Sequence, residues 1–217
     1  MDAKDRSNKL LVVISGPTGI GKTEVAIRLA QHFQTEIVYA DSRQVYKELN
    51  IGVGKPDQEQ LASVPHHLIS HASIHNPYSA GHYTTDALTI IYTLFAKHDI
   101  VILTGGTGLY IQSVISGFDP MPDVPEEVTR HWTDVWAAGG TQPLIDALTE
   151  MDPDYLAQVD QSNHSRLIRA VSVSAHSGKP FSSFHMSREA TRPFRTLCIA
   201  LDLPRKDLYD RIDRRVL

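Results

Sequence analysis

The sequence has few of the features that mark secreted or membrane proteins. It contains a single cysteine, Cys198, which excludes a disulfide framework within one chain and predicts a cytoplasmic protein. No apolar run is long enough to cross a bilayer, and the first residues, MDAKDRSNK, are too polar for a secretory signal, so we expect no membrane contact. Cys198 lies inside the apolar stretch 197–201, which predicts a small buried side chain and not a nucleophile.

An excess of positive charge is also missing. The 217 residues include 21 Lys and Arg against 25 Asp and Glu, a formal net charge of −4. The distribution is uneven, because the part from Asp160 onward has 11 basic against 6 acidic residues and the part before it has 10 against 19. This asymmetry fits a basic binding face, but it also fits ordinary solvated helices, and charge alone leaves both open.

A phosphate-binding motif is present near the N-terminus. Residues 16–23 read GPTGIGKT and match G-x-x-x-x-G-K-[ST]. The apolar run LLVVIS precedes the motif, and a helix over 24–33 is predicted to follow it, with Val25, Leu29 and Phe33 on one face. In this strand–turn–helix context, backbone N–H groups surround an anion, Lys22 reaches the terminal phosphates, and the Thr23 hydroxyl is a ligand for Mg²⁺. The protein is therefore expected to bind a di- or triphosphate.

The pattern of strands and helices predicts an α/β fold, namely a P-loop NTPase-like parallel sheet with flanking helices. Strands are predicted at 10–15, 36–40, 65–70, 100–104 and 196–201, with a long helix over about 79–98. Only helical segments are predicted between 119 and 177, so this stretch is expected to be a helical insertion in a core formed by 1–118 and 178–217. The last helix opens after Pro204 and reaches Leu217 without a cap, which predicts a C-terminally truncated chain.

The residues that follow two of the predicted strands are candidates for the functional site. Asp41 follows the second predicted strand, and ligands of open parallel sheets bind beyond the carboxyl ends of the strands. Asp41 is therefore placed to face the phosphate site, although a helix cap is an equally good interpretation. The strand at 100–104 ends in Gly105-Gly106-Thr107-Gly108, without the aspartate that holds magnesium in many ATP-hydrolysing phosphate-loop proteins. These glycines allow a ligand to approach the backbone closely, and Thr107 offers it a hydroxyl.

Taken together, eight segments resemble the tRNA dimethylallyltransferases, also called isopentenyl-tRNA transferases. They follow the family's order over essentially the whole chain: GPTGIGKT (16–23), DSRQVY (41–46), GKP (54–56), PHHL (65–68), YSAGHY (78–83), GGTGLYI (105–111), SRLIRA (165–170) and SGKP (177–180). The family transfers a dimethylallyl group from dimethylallyl diphosphate to the exocyclic amine of an adenine next to a tRNA anticodon. The resemblance implies that the phosphate loop holds a diphosphate leaving group, which agrees with the missing hydrolytic aspartate.

The resemblance also implies the catalytic roles. Asp41 would orient the adenine amine and accept its proton, Thr107 would supply a hydroxyl near the reacting adenine, and Arg211 would contact the diphosphate. The implied donor-binding residues are Gly16, Pro17, Thr18, Gly19, Ile20, Gly21, Lys22 and Thr23, with Mg²⁺ on Thr23.

The implied partners are dimethylallyl diphosphate and the tRNA anticodon stem–loop, which the protein would bind as a monomer. Thr129 falls where many members of the family have a tRNA-contacting arginine, and Arg130 follows it. The implied tRNA-binding residues are Asp41, Ser42, Arg43, Gln44, Thr107, Thr129, Arg130, Ser165, Arg166, Leu167, Ile168 and Arg169.

Three other functions remain open at this stage. An adenylate isopentenyltransferase, which prenylates free adenine nucleotides, shares the phosphate loop and the catalytic aspartate. A phosphate-loop small-molecule kinase would use Asp41 to take the proton of an acceptor hydroxyl. A catalytically inert, nucleotide-dependent RNA-binding module would need neither role for Asp41. The helical insertion, with Arg166 and Arg169 on one helical face, favours the tRNA-modifying enzyme.

Overall fold

The computed structural model describes residues 8–76, 78–185 and 190–216. This part of the chain forms two compact units. The first contains the described residues up to Gly117 and from residue 190 onward, and the second contains those from Phe118 to residue 185.

The first unit is built on a five-stranded parallel sheet. Its strands are β1 (Leu10–Ser15), β2 (Ile37–Tyr39), β3 (His66–His67), β4 (Ile100–Thr104) and β5 (Arg195–Ala200), in the spatial order β3-β2-β4-β1-β5. β1 pairs with β4 on one side and β5 on the other, with Leu10 opposite Ile100 and Arg195. The predicted P-loop-like α/β fold is confirmed.

Five helices belong to this unit: α1 (Lys22–Phe33), α2 (Gln58–Ser63), α3 (Ala80–Phe95), α4 (Gly108–Ser116) and α9 (Arg205–Val216). The predicted long helix is confirmed as α3, and its residues Tyr83, Ala87, Ile91 and Leu94 pack in the core on one side of the sheet. The sequence missed α2 and α4.

The apolar sequence pattern does not match burial at two positions. Phe33, predicted on one face with Val25 and Leu29, is 42% exposed, whereas Ala26, Ile27 and Ala30 are the buried residues of α1. Cys198 was expected to be buried, yet it is exposed. The reason is that β5 pairs only with β1 and lies at the edge of the sheet, so an apolar sequence there does not guarantee burial.

The described residues of the second unit form helices joined by loops, and no strand is present among them. The unit contains α5 (Glu126–Gly139), α6 (Gln142–Met151), α7 (Pro153–Leu156) and α8 (His164–Ser177), which pack around a core that includes Leu144, Leu148, Leu167 and Val171. Gly178 directly follows α8 and caps it in a left-handed conformation with φ 65°, which is typical of glycine after a helix.

This unit extends further along the chain than the sequence suggested. Residues 178–185 were assigned to the sheet-containing core, but Phe181 is buried in the helical unit, and Ser182 donates two hydrogen bonds to the Asp152 carboxylate. The short 3₁₀ helix Phe181–Phe184 therefore belongs to the second unit. Among the described residues of both units, we found no helix with the length and apolar character needed to span a bilayer.

Candidate active site

The phosphate loop connects β1 to α1. Gly16, Gly19 and Gly21 have φ values of 144°, 79° and 99°, which residues other than glycine rarely adopt. α1 begins directly at Lys22, so the first N–H groups of the helix lack intrahelical acceptors and are available to an anion. The Lys22 ammonium crosses the loop and donates to the carbonyls of Gly16 and Pro17, each at 2.9 Å. The loop thus combines the backbone amides of a helix N-terminus with a nearby positive charge.

Asp41 and Thr107 follow β2 and β4, which are neighbours in the sheet. The two strand ends are in close contact, because the Thr107 amide donates to the Ala40 carbonyl at 3.1 Å. A Cβ atom on Gly105 would fall on that same Ala40 carbonyl. The glycine at 105 is therefore required by the close approach of the two chain segments, and this approach brings Asp41 and Thr107 to one edge of the sheet.

The two oxygens of the Asp41 carboxylate have different surroundings. Its Oδ1 accepts hydrogen bonds from the backbone amides of Arg43 and Gln44, at 2.9 and 3.1 Å. Its Oδ2 lies on the side of Gly106, where an added Cβ would be 3.6 Å from it. The two interpretations that the sequence left open are compatible, since Oδ1 caps the local turn and Asp41 also lines the cleft that contains the phosphate loop.

Thr107 connects the two loops through its side chain. Its Oγ1 accepts from the Ser42 amide at 2.9 Å and donates to the Ser42 hydroxyl at 3.1 Å. Thr107 is also the N-cap residue of α4, although its side chain caps none of that helix's own amides. The hydroxyl therefore holds the segment that carries Asp41.

A second set of contacts fixes the glycine-punctuated loop at 51–56. The Gln44 amide group donates to the carbonyls of Val53 and Gly54, at 3.1 and 2.9 Å. The Lys55 ammonium donates to the Tyr46 carbonyl at 2.6 Å and to the Ser70 hydroxyl at 2.9 Å. Desolvation lowers the pKa of Lys55 below its ordinary value. These bonds tie the loop to the segment that follows Asp41.

Arg211 comes from the last helix of the chain and reaches the phosphate loop. Its guanidinium Nη1 donates to the Ile20 carbonyl at 3.1 Å, and it lies 3.5 Å from the position a Cβ on Gly21 would take. α9 thus places a second positive charge beside the loop that holds Lys22.

These elements line one cleft of about 730 Å³ in the first unit. The residues of the predicted site that line it are Gly16, Pro17, Thr18, Gly19, Gly21, Lys22, Thr23, Asp41, Ser42, Arg43, Gln44, Thr107 and Arg211. Ile20 is the member of the predicted loop that does not line the cleft, because its side chain is buried. Residues more than 190 positions apart in the sequence are therefore brought together.

The cleft residues outside the predicted site include Tyr39, Lys55 and Gln60. A signal for Tyr39 was available, because side chains two apart in a strand share a face, and Tyr39 lies two residues before Asp41. Gln60 belongs to α2, which the sequence missed, so no local signal pointed to it.

The other predicted tRNA-binding residues belong to the helical unit. Thr129 and Arg130 lie on α5, where Arg130 pairs with Glu126 at 2.7 Å, and the segment 165–169 lies on α8. Ser165, Arg166 and Arg169 are exposed, whereas the side chains of Leu167 and Ile168 are buried in the core of this unit. Buried side chains cannot touch RNA, so these two residues instead anchor the helix that presents the arginines.

The chain was compared with known proteins. A model of the IPP transferase family matches residues 44–217. The tRNA dimethylallyltransferase of Cytophaga hutchinsonii is 41% identical over 209 residues, which cover 96% of this chain and 69% of that protein. A tRNA dimethylallyltransferase 1 of Bacteroides thetaiotaomicron is 42% identical over 206 residues, covering 95% of this chain and 67% of that protein.

Solved structures of proteins with similar names also align with this chain. A eukaryotic dimethylallyltransferase acting on tRNA aligns with a TM-score of 0.82 and 28% identity, over 96% of this chain and 52% of that one. The tRNA isopentenylpyrophosphate transferase of Bacillus halodurans aligns with a TM-score of 0.61 and 32% identity, over 96% of this chain and 65% of that one. The chain thus spans about half the length of the eukaryotic structure and about two thirds of its bacterial relatives.

Proposed function

This chain belongs to the tRNA dimethylallyltransferase (IPP transferase) family, and from this we propose that it transfers the dimethylallyl group of dimethylallyl diphosphate to the N6 amine of an adenosine next to the tRNA anticodon. The main support for this proposal is that the phosphate loop with Lys22 and the Asp41 carboxylate line the same cleft. Such a cleft can hold an anionic leaving group and a proton acceptor together. We propose further that the protein acts as a monomer in the cytoplasm.

The donor's diphosphate is proposed to bind at the N-terminus of α1. Lys22, Arg211 and the loop amides would stabilise the negative charge that develops as the allylic C–O bond breaks. The electron pair of that bond leaves with the diphosphate. The Lys22 ammonium already bonds to carbonyls of its own loop, so it is held beside the place where the phosphates would bind.

Asp41 is proposed to act on the acceptor amine. An exocyclic adenine amine is a weak nucleophile, because its lone pair is delocalised into the ring. As the new N–C bond forms, the amine loses a proton, and a carboxylate within reach can accept it. Asp41 Oδ2 is the oxygen suited to this task, because Oδ1 is already engaged by the Arg43 and Gln44 amides. Thr107 would keep Asp41 in place through its bonds to Ser42.

Magnesium fits the donor site by the chemistry of its ligands. Thr23 lines the cleft on the first turn of α1, and its hydroxyl together with phosphate oxygens would provide the oxygen ligands that Mg²⁺ prefers. When bound, the ion would neutralise part of the charge on the departing diphosphate. Thr23 is the residue we propose to hold it.

The helical unit is proposed to bind tRNA through Arg166, Arg169 and Ser165, which are exposed on α8. Asp41, Ser42, Arg43, Gln44 and Thr107 would contact the RNA around the reacting adenine. To reach Asp41, the adenine must leave the anticodon stack, as in other enzymes that modify bases. RNA of this kind is recognised by backbone charge and shape as well as by unstacked bases.

An acceptor competition tests this proposal. The purified chain is incubated with dimethylallyl diphosphate and either unmodified tRNA or AMP, and prenylated products are separated by chromatography. We expect prenylated tRNA and no prenylated AMP. Product from AMP alone would instead identify an adenylate isopentenyltransferase, and phosphate transfer from ATP without use of the prenyl donor would identify a kinase.

A further inference from the structure

Tyr39 faces the phosphate-loop helix. Side chains alternate along β2, so that Ile37 and Tyr39 pack in the cluster that contains residues of α1, whereas Val38 and Ala40 pack on the opposite side of the sheet. Tyr39 is the last residue of the strand. Its phenol therefore extends from the carboxyl end of the sheet towards α1.

The Tyr39 ring is firmly held but still lines the cleft. The residue is only 2% exposed, and it borders the cleft together with Thr23. Its ring centroid lies 5.5 Å from that of His66, and the His66 imidazole is in turn bonded to the Gln60 carbonyl at 2.9 Å. A side chain packed in this way places its hydroxyl at a defined point of the site.

The Tyr39 hydroxyl is buried and has no hydrogen bond of full geometry among the described residues. Burial raises the pKa of Tyr39, and hydrogen bonding with the neighbouring Thr23 hydroxyl opposes this rise by a smaller amount. The Thr23 hydroxyl is therefore the group within reach of the phenol oxygen. The phenol borders the same cleft as Thr23 and offers both a donor and an acceptor function. Buried polar groups without partners are uncommon and often mark functional sites.

We propose that the Tyr39 hydroxyl is a positioning group of the diphosphate–magnesium site and that it acts through Thr23. This inference rests on the proposed function, since it requires a diphosphate in the loop. A threonine oxygen that binds Mg²⁺ uses a lone pair for the metal and must direct its own proton to another acceptor. The Tyr39 oxygen is a hydrogen-bond acceptor beside Thr23, and it selects the Thr23 orientation in which the lone pair is free for the metal.

The first experiment compares Tyr39→Phe with the unchanged chain in the binding of inorganic pyrophosphate, measured by calorimetry with and without Mg²⁺. Phenylalanine retains the ring beside His66 and removes only the oxygen. We expect pyrophosphate binding in the presence of Mg²⁺ to weaken by about tenfold, as for other groups that orient a metal ligand. Binding without Mg²⁺ should be unchanged.

Tyr83→Phe is the matched control. The Tyr83 hydroxyl is also buried without a hydrogen-bonding partner among the described residues, and Tyr83 belongs to the same unit, but it does not line the cleft. We expect this variant to bind pyrophosphate as the unchanged chain does. Thermal unfolding of both variants checks that each is folded.

A double variant tests the path through Thr23. In a Thr23→Val background, Tyr39→Phe should cause no additional loss, because the group that Tyr39 orients is gone. The inference is overturned if Tyr39→Phe binds Mg²⁺–pyrophosphate as tightly as the unchanged chain, or if it loses equal affinity without Mg²⁺. If instead the unchanged chain neither binds pyrophosphate nor transfers the prenyl group, it is the proposed function that fails, and the inference fails with it.

Discussion

The Thr107 Oγ1 atom lies 2.9 Å from the backbone nitrogen of Ser42, and this hydrogen bond joins the loop after β4 to the loop after β2. Ser42 immediately follows Asp41, so the bond restrains the carboxylate proposed to accept the proton. The Thr107 hydroxyl thereby has a structural reason to affect the reaction rate even before any substrate contact is considered.

Replacement of Thr107 tests this coupling. Thr107→Val keeps the shape of the side chain but leaves the Ser42 amide without its acceptor, so Asp41 should lose its fixed position. Because displacement of a catalytic group by about 1 Å can cost about a hundredfold in rate, we expect single-turnover transfer to fall by up to that factor. Thr107→Ser retains the oxygen and should keep most of the activity. Equal rates for Thr107→Val and the unchanged chain would contradict the coupling.

Asp41→Asn separates the base from the turn cap. The amide oxygen of asparagine can still accept from the Arg43 and Gln44 amides, but it cannot take up a proton at neutral pH. We expect turnover to fall by about 10² to 10⁴, with pyrophosphate and tRNA affinity little changed. Asp57→Asn, at the exposed N-cap of α2, is the control and should be fully active. Full turnover by Asp41→Asn would remove Asp41 from its proposed role.

Arg169→Ala and Arg166→Ala test the RNA contact of α8. Both arginines are exposed, so their loss should leave the fold intact and raise the KM for tRNA without changing the KM for dimethylallyl diphosphate. If each arginine neutralises one phosphate, the slope of log affinity against log salt should decrease by about 0.7 to 1 per substitution. Arg28→Ala removes an exposed arginine of α1 in the other unit and serves as the control. An unchanged salt slope in both α8 variants would exclude this contact.

Gly105→Ala tests the close approach of the two strand ends. The new methyl group would collide with the Ala40 carbonyl, and backbone cannot move away as a flexible side chain can. We expect a loss on the order of 3 kcal/mol in the free energy of unfolding, measured by chemical denaturation. Gly108→Ala is the matched control, because a Cβ there meets nothing within 4 Å at the start of α4. A stable Gly105→Ala variant would show that this approach is not required.

Elements with strong local sequence patterns were predicted correctly, and elements without them were missed. β4 was predicted with the observed bounds, and α8 lies in the stretch predicted to be helical, since a buried central strand and an amphipathic helix have strong local patterns. α4 was missed because the residues at its start, GGTG, are typical of a loop. Cys198 was misjudged because the apolar pattern of a strand does not report whether the strand lies at the centre or the edge of a sheet.

The sequence by itself determined the phosphate loop, the parallel α/β class and the family. Each depends on residues that are close along the chain or on motifs in a fixed order, so they can be read before folding is considered. Only the tertiary structure decided that Asp41, Thr107 and Arg211 share a cleft with the loop, that Tyr39 stands beside Thr23, and that Leu167 and Ile168 are buried. These relations arise when the strands pair in the order β3-β2-β4-β1-β5 and the helices pack, because strand pairing and packing join residues whose separation along the chain no local period encodes.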